Sequence, residues 1–327
     1  MKARLIAPAA LTLTLAACEG TILPFCGGNM IDACYKARDI AAAMSTQLAD
    51  EAVAEGNAIV AESGALHNEG RVEMSFRASA MSRNSPTFDN VTVRTDANTG
   101  ASSFGADAGT AASLAGEVAL RVSRGTRVGD TRMLGLDLLG GLRLAPHMDG
   151  GSVHTDGGMV GYSYGARLGI LQETDRLPAV SLTGMVRELP KFSLTSEPLP
   201  TDSGATVSLS LHSGSIQTMG WRLAASKRLG RFGLSGGFGR ESYYTTVDFD
   251  AGPAGSENTD FSATRNTAFI GGSLGVGATT VGVELGSVFG GDAPAMTNSF
   301  GDGSPTAART FVSLGVRLPV GRTPAPK

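Results

Sequence analysis

Between Arg132 and Leu144, the residues Leu134, Leu136, Leu138, Leu142 and Leu144 fall on one parity; Met133, Gly135, Asp137, Gly141 and Arg143 fall on the other. A helix would scatter that pattern around its axis, whereas a β-strand with one apolar and one polar face produces it directly. The same two-faced pattern returns as Val118, Leu120 and Val122 against Glu117, Arg121 and Ser123. It returns again as Val312, Leu314, Val316 and Leu318 against Ser313, Gly315 and Arg317. About ten such stretches follow a secretory leader, and together they describe a transmembrane β-barrel.

The leader fixes the compartment. Lys2 and Arg4 precede an apolar core from Leu5 to Leu15, and small residues follow, so residues 1–17 read as a signal peptide. Leu15-Ala16-Ala17-Cys18 also has the form of a lipobox, which makes Cys18 the lipidation candidate; plain leader cleavage near Ala17 is the alternative. The other two cysteines, Cys26 and Cys34, can then pair in an oxidising periplasm. Mass spectrometry of the mature amino terminus checks this: acylated Cys18 is expected, and an unmodified terminus at Cys18 or beyond excludes lipidation.

Composition agrees with a barrel. The chain holds 45 Gly in 327 residues and only 17% charged residues, and after the leader no apolar run reaches the roughly 18 residues of a membrane helix. Alternating strands in a closed sheet are then the remaining way to satisfy backbone groups in lipid. A soluble β-sandwich also alternates, but its outer face should be rich in Lys, Glu and Thr. A net charge of −3 carries no nucleic-acid signature.

Three parts are expected: the leader, a periplasmic amino-terminal segment over 18–70, and a barrel over 71–320 with a tail at 321–327. Within the segment, residues 35–62 are Ala-rich and free of Pro, which predicts a helix. Its stripe of Ile40, Met44 and Leu48 is thin, so the helix must lean on something. Strands are predicted at 71–80, 114–123, 132–144, 158–171, 179–189, 206–228, 232–243, 261–276, 281–290 and 307–320. The links between them alternate long and short, as expected for a closed antiparallel up-and-down barrel with long loops outside and tight turns on the periplasmic side. Prolines 86, 146, 178, 190, 198, 200, 253, 294 and 305 fall in links or at strand ends. Between Val207 and Ala225 the odd-numbered apolar positions read as one unbroken long strand; a turn at His212-Ser213-Gly214-Ser215 would instead shift the count toward twelve.

These features make residues 71–320 resemble the bacterial outer-membrane β-barrel proteins as a superfamily, without a motif that names a subfamily. The resemblance implies a Gram-negative outer-membrane location, with outer-membrane lipid and the barrel-assembly machinery as partners. One departure is that the last strand carries Phe311 early and ends Leu318-Pro319-Val320, where such barrels often finish on an aromatic residue.

Function should be written on the lumen face. The polar parity of the strands offers Glu73, Arg77, Glu117, Arg121, Asp137, Arg143, Arg167, Arg187, Arg222, Glu284 and Arg317, seven arginines against four carboxylates. These residues either pair with one another and fill a narrow barrel, or leave a positive surplus that lines an anion-preferring path. Catalytic groupings are thin, and none is assigned. Omptin-like proteases use acidic pairs and an Asp-His couple at the rim; here His147, His154, Asp156, Asp248 and Asp250 occupy outer links without Asp-x-His spacing. A lipase would need a Ser and a His on neighbouring strands, and only His212 with Ser213 or Ser215 offers them. No metal site, no cofactor and no nucleic-acid partner is expected, and the solute is not specified.

The expected function is a porin-like or small-solute channel. The alternative is a structural or surface-display barrel, favoured by the 33-residue link from Met81 to Ser113; an outer-membrane hydrolase is a third reading. The predicted helix carries Lys36 and Arg38 against Asp39, Asp50, Glu51, Glu55 and Glu62. Its acidity opposes the lumen arginines, so it is expected to plug or cover the periplasmic opening and regulate passage; a solvated periplasmic linker is the alternative.

Overall fold

The computed structural model describes residues 30–54, 72–96, 98–145 and 151–320. The leader, Cys18, Cys26, His147, the carboxyl-terminal part of the predicted helix and the tail lie outside the described residues.

Ten strands close into one antiparallel barrel: β1 (Val72–Thr87), β2 (Gly105–Ser123), β3 (Gly135–Ala145), β4 (Met159–Leu171), β5 (Ala179–Ser196), β6 (Ser210–Leu229), β7 (Phe232–Asp250), β8 (Ser256–Val276), β9 (Thr279–Phe289) and β10 (Arg309–Val320). Each pairs with its neighbour in sequence, and β10 returns to β1, so every wall strand has two partners and no edge remains. Ten rather than twelve is therefore the wall count. A short extra strand, Val153–Thr155, adds to the far end of β5.

The apolar parity faces outward. Leu142 and Ile270 are 66% and 67% exposed, and Leu114, Leu138, Leu144, Leu285 and Leu314 share that belt. Aromatic side chains punctuate it: Phe232 sits at the short-turn end, while Tyr162, Tyr164 and Tyr244 lie toward the long-link end, as in the girdles of membrane barrels. Among the described residues no helix is long and apolar enough to cross a membrane. The belt yields a prediction. Ile270→Arg, on the outer face near mid-belt, should cost roughly 2 to 4 kcal/mol of barrel stability, against roughly 0 to 1 for Ala278→Arg in the short turn. Equal assembly of both variants, read by folded-barrel mobility in detergent gels, would sink the lipid-facing assignment. Met133, expected in the strand at 132–144, belongs instead to a small hairpin (Thr126–Val128 with Thr131–Met133) outside the wall.

Strand lengths divide the wall. β3, β4, β9 and β10 have 11 to 13 residues, about what a tilted strand needs to cross lipid, but β1, β2, β5, β6, β7 and β8 have 16 to 21. The surplus rises beyond the membrane on the long-link side as a collar. Residues 81–87, 105–113 and 244–260, expected as link, are thus largely strand; β7 and β8 continue to a turn at 251–255.

In the collar the apolar side chains turn inward, and β6 shows how. Leu209 and Leu211 are buried, yet Met219 and Trp221, of the same parity, are exposed on the lipid side. The odd-numbered phase is broken by a bulge at His212–Ser215, where Ser213 takes φ 52°. One extra residue flips every side chain beyond it. β5 shifts beside it: Leu189 and Phe192 are both buried, and Gly214 faces the Phe192 ring, where a Cβ would come within 2.4 Å. The stretch expected as either unbroken strand or turn is a bulge.

The helix, α1 (Ile31–Ala54), stands inside the collar and upper lumen. Nearly all of it is buried, including Ile40, Met44 and Leu48. Alanines 33, 37, 41, 42, 43, 49 and 52 keep it slim enough to be surrounded by wall. Its first turns meet the long links, and the part of the predicted helix after Ala54 lies outside the described residues.

Candidate functional site: the occupied lumen

All eleven charged residues expected on the lumen face point inward, and the structure joins most of them into ladders. Arg317 Nη2 lies 2.6 Å from Glu73, and Arg167 lies 3.0 Å from Asp137 and 4.0 Å from Glu73. Arg222 reaches Glu284 at 3.6 Å. Arg77, Arg121 and Glu117 occupy the same inner surface.

Sequence reasoning missed Glu241, Arg265, Arg309 and Arg83, all buried and facing inward. Glu241 bridges Arg187 at 3.4 Å and Arg222 at 3.8 Å. Gly220 makes room for that carboxylate, since a Cβ there would sit 1.7 Å from its Oε2. A signal was present: Arg309 shares parity with Arg317, and Arg265 lies four residues from Phe261 and from Phe269 on one parity. Those phenylalanines disguised an inward face as a lipid face.

The helix supplies the missing counter-charges. Asp50, 0% exposed, accepts from Tyr243 Oη at 2.8 Å and Arg265 Nε at 3.2 Å on one oxygen, and from Arg309 Nη1 at 2.5 Å on the other. Arg265 also donates to the carbonyls of Gly290 and Ala307, at 2.9 and 2.5 Å. One carboxylate thus ties α1 to β7, β8, β10 and the link between β9 and β10. Glu51 faces Arg143 at 3.7 Å, and Arg222 donates to the Val53 carbonyl, placing a cation at the negative end of the helix dipole.

Higher up, backbone groups of the long links bind the helix. Asp32 accepts from the amides of Arg94 at 2.9 Å and Gly100 at 3.0 Å, and from Lys36 Nζ at 2.5 Å. Asp39 Oδ2 accepts from the amides of Thr297 at 2.7 Å and Asn298 at 2.8 Å. Gln47 Nε2 donates to the Asn84 carbonyl at 2.8 Å. The links are knit together above: Phe104 stacks on Phe300 at 4.7 Å, and Val93 pairs with the 197–209 link through Pro200. On the outer surface the Arg94 guanidinium, bonded to Asp96, holds that carboxyl well below the usual range.

A cavity of about 40 Å³ lies beside Leu48 and Ala52, among Arg77, Arg143, Arg187 and Thr218, enough for a water or two. A wider vestibule of about 570 Å³ opens at the short-turn end, lined by Arg228, Arg231, Ser273, Thr279, Thr280 and Arg317.

Among the described residues the hydrolase candidates do not assemble. His212 contacts Ser210 Oγ at 2.9 Å, not Ser213 or Ser215. Asp156 accepts from Thr195, Asp250 from the Gly252 amide and Asp248 from Asn258, each within its own turn or neighbouring strand. His154 sits on the extra strand paired to β5. Among the described residues no group of His, Cys, Asp and Glu is placed to hold a metal ion. Cys34 is disulfide-bonded, and both other cysteines lie outside the described residues.

No protein family matches the sequence, and no curated protein is similar to it. Solved structures similar in fold include the outer membrane protease OmpT of Escherichia coli, at 9% identity over 77% of this chain and 97% of that one, TM-score 0.42. The translocator domain of the autotransporter NalP of Neisseria meningitidis is 12% identical over 88% of this chain and 99% of that one, TM-score 0.46. The toluene transporter TodX of Pseudomonas putida is 8% identical over 81% and 92%, TM-score 0.32. The chain folds as a closed ten-stranded antiparallel β-barrel.

Proposed function

We propose that this protein is a structural, surface-display barrel of the outer membrane, sealed by its own helix and not an open porin. One observation carries the reading: α1 fills the collar and upper lumen and is held by Asp50 between two buried arginines. Breaking a buried pair by removing one partner costs about 3 to 5 kcal/mol, so thermal withdrawal of the helix is rare. Three long links fold over it into an ordered cap, which a solute would have to displace.

A second reading, a channel gated by α1, is favoured by the wall chemistry. The arginines freed of Asp50 and Glu51 would line an anion-preferring path, as basic rings do in anion pores. Planar-bilayer recording of the intact protein tests the first reading. A flat baseline is expected across the usual voltage range; steady resting conductance would overturn it and leave the channel.

A further inference from the structure

We infer that the barrel presents the amino end of its helix on the outer face, with Met30 on the long-link side of the collar. This deepens the display reading and rests on it. The polarity of α1 carries the inference. Its first turn is bound by Arg94 and Gly100 of the β1–β2 link, and its third by Thr297 and Asn298 of the β9–β10 link. Its last turn is bound from inside the wall, where Arg222, seven residues before the short-turn end of β6, donates to the Val53 carbonyl. The helix therefore enters from the long-link face and runs inward.

β1 fixes the other side. It begins at Val72, paired with Val320 at the end of β10 and so on the short-turn face. Met30 and Val72 stand at opposite ends of the barrel. Long loops lie outside and short turns face the periplasm in barrels of this kind, which puts Met30 outside. The helix lies along the lumen with the cap folded against its amino end. On this reading Met30 lies on the side opposite to the periplasmic one expected for the 18–70 segment.

The experiment inserts one epitope with a protease site immediately ahead of Met30, and in separate chains in the 251–255 turn and between Gly230 and Arg231. On intact cells the site ahead of Met30 should be cut to the same extent as the one in the 251–255 turn. The site at Gly230 should stay protected until the outer membrane is permeabilised. Protection of the Met30 site to the same degree as the Gly230 site overturns the inference. Because an insertion can disturb assembly, Met30→Cys is labelled in parallel with a membrane-impermeant maleimide and read by peptide mass spectrometry. Labelling at position 30 on intact cells supports the placement, and labelling only after permeabilisation overturns it. The display reading fails separately, by resting conductance, whatever side Met30 occupies.

Discussion

Asp50→Ala should unseat the helix, lowering the stability of the closed barrel by about 3 to 5 kcal/mol. The carboxylate is wholly buried and answers Tyr243, Arg265 and Arg309 at once. Truncation leaves two guanidinium groups without their counter-charge in a site that water does not reach. Arg265 keeps carbonyl partners at Gly290 and Ala307, and Arg309 keeps the Ser304 carbonyl, which softens the loss at both residues. Asp50→Asn keeps an acceptor and should fall between wild type and Asp50→Ala. Adding Arg265→Met and Arg309→Met to Asp50→Ala should recover much of the loss, because replacing a whole buried ion group by apolar side chains is often neutral. Denaturant unfolding in detergent measures all of them. An Asp50→Ala chain that unfolds with the wild-type midpoint would show that the charge cluster does not hold the helix.

Deleting residues 31–54 should change the electrical behaviour most. Beside Leu48 and Ala52 the intact lumen leaves a cavity of about 40 Å³, enough for a water or two, whereas the deletion empties the space of a helix about 36 Å long. Steady conductance should appear, with anion over cation preference, because Arg143, Arg222, Arg265 and Arg309 lose helix partners. The reversal potential under a salt gradient reads the preference. Normal barrel assembly without conductance would mean that the wall's own side chains fill the lumen. In that case the arginine surplus serves packing and not passage.

Much of the wall was written in the chain because a β-strand reports its two faces residue by residue. Leu138, Leu142 and Leu144 against Asp137 and Arg143 needed no tertiary information to be sorted, and the structure places the two sets on opposite faces. The alternation of long and short links announced ten strands with both barrel ends on one side. Parity failed where a second solvent-free face existed. In the collar, Leu209, Leu211, Phe249 and Val247 face the helix, so apolar no longer means lipid-facing. The bulge at Ser213 then reversed β6 without changing its composition.

The site divides along the same line. The sequence by itself determined that the lumen would be rich in arginine and that an acidic, alanine-rich helix lay ahead of the barrel, since both are properties of residue type and local period. Only the tertiary structure decided which carboxylate met which arginine, and from which end the helix came. Asp50 is 193 residues from Tyr243, 215 from Arg265 and 259 from Arg309, separations over which no local pattern carries pairing information. Summed charge has no direction, so opposite totals on helix and wall were compatible with a helix at either mouth. The direction came from the Asp32 and Asp39 carboxylates finding free amides in the long links, contacts that exist only once ten strands have closed and brought those links together over the lumen.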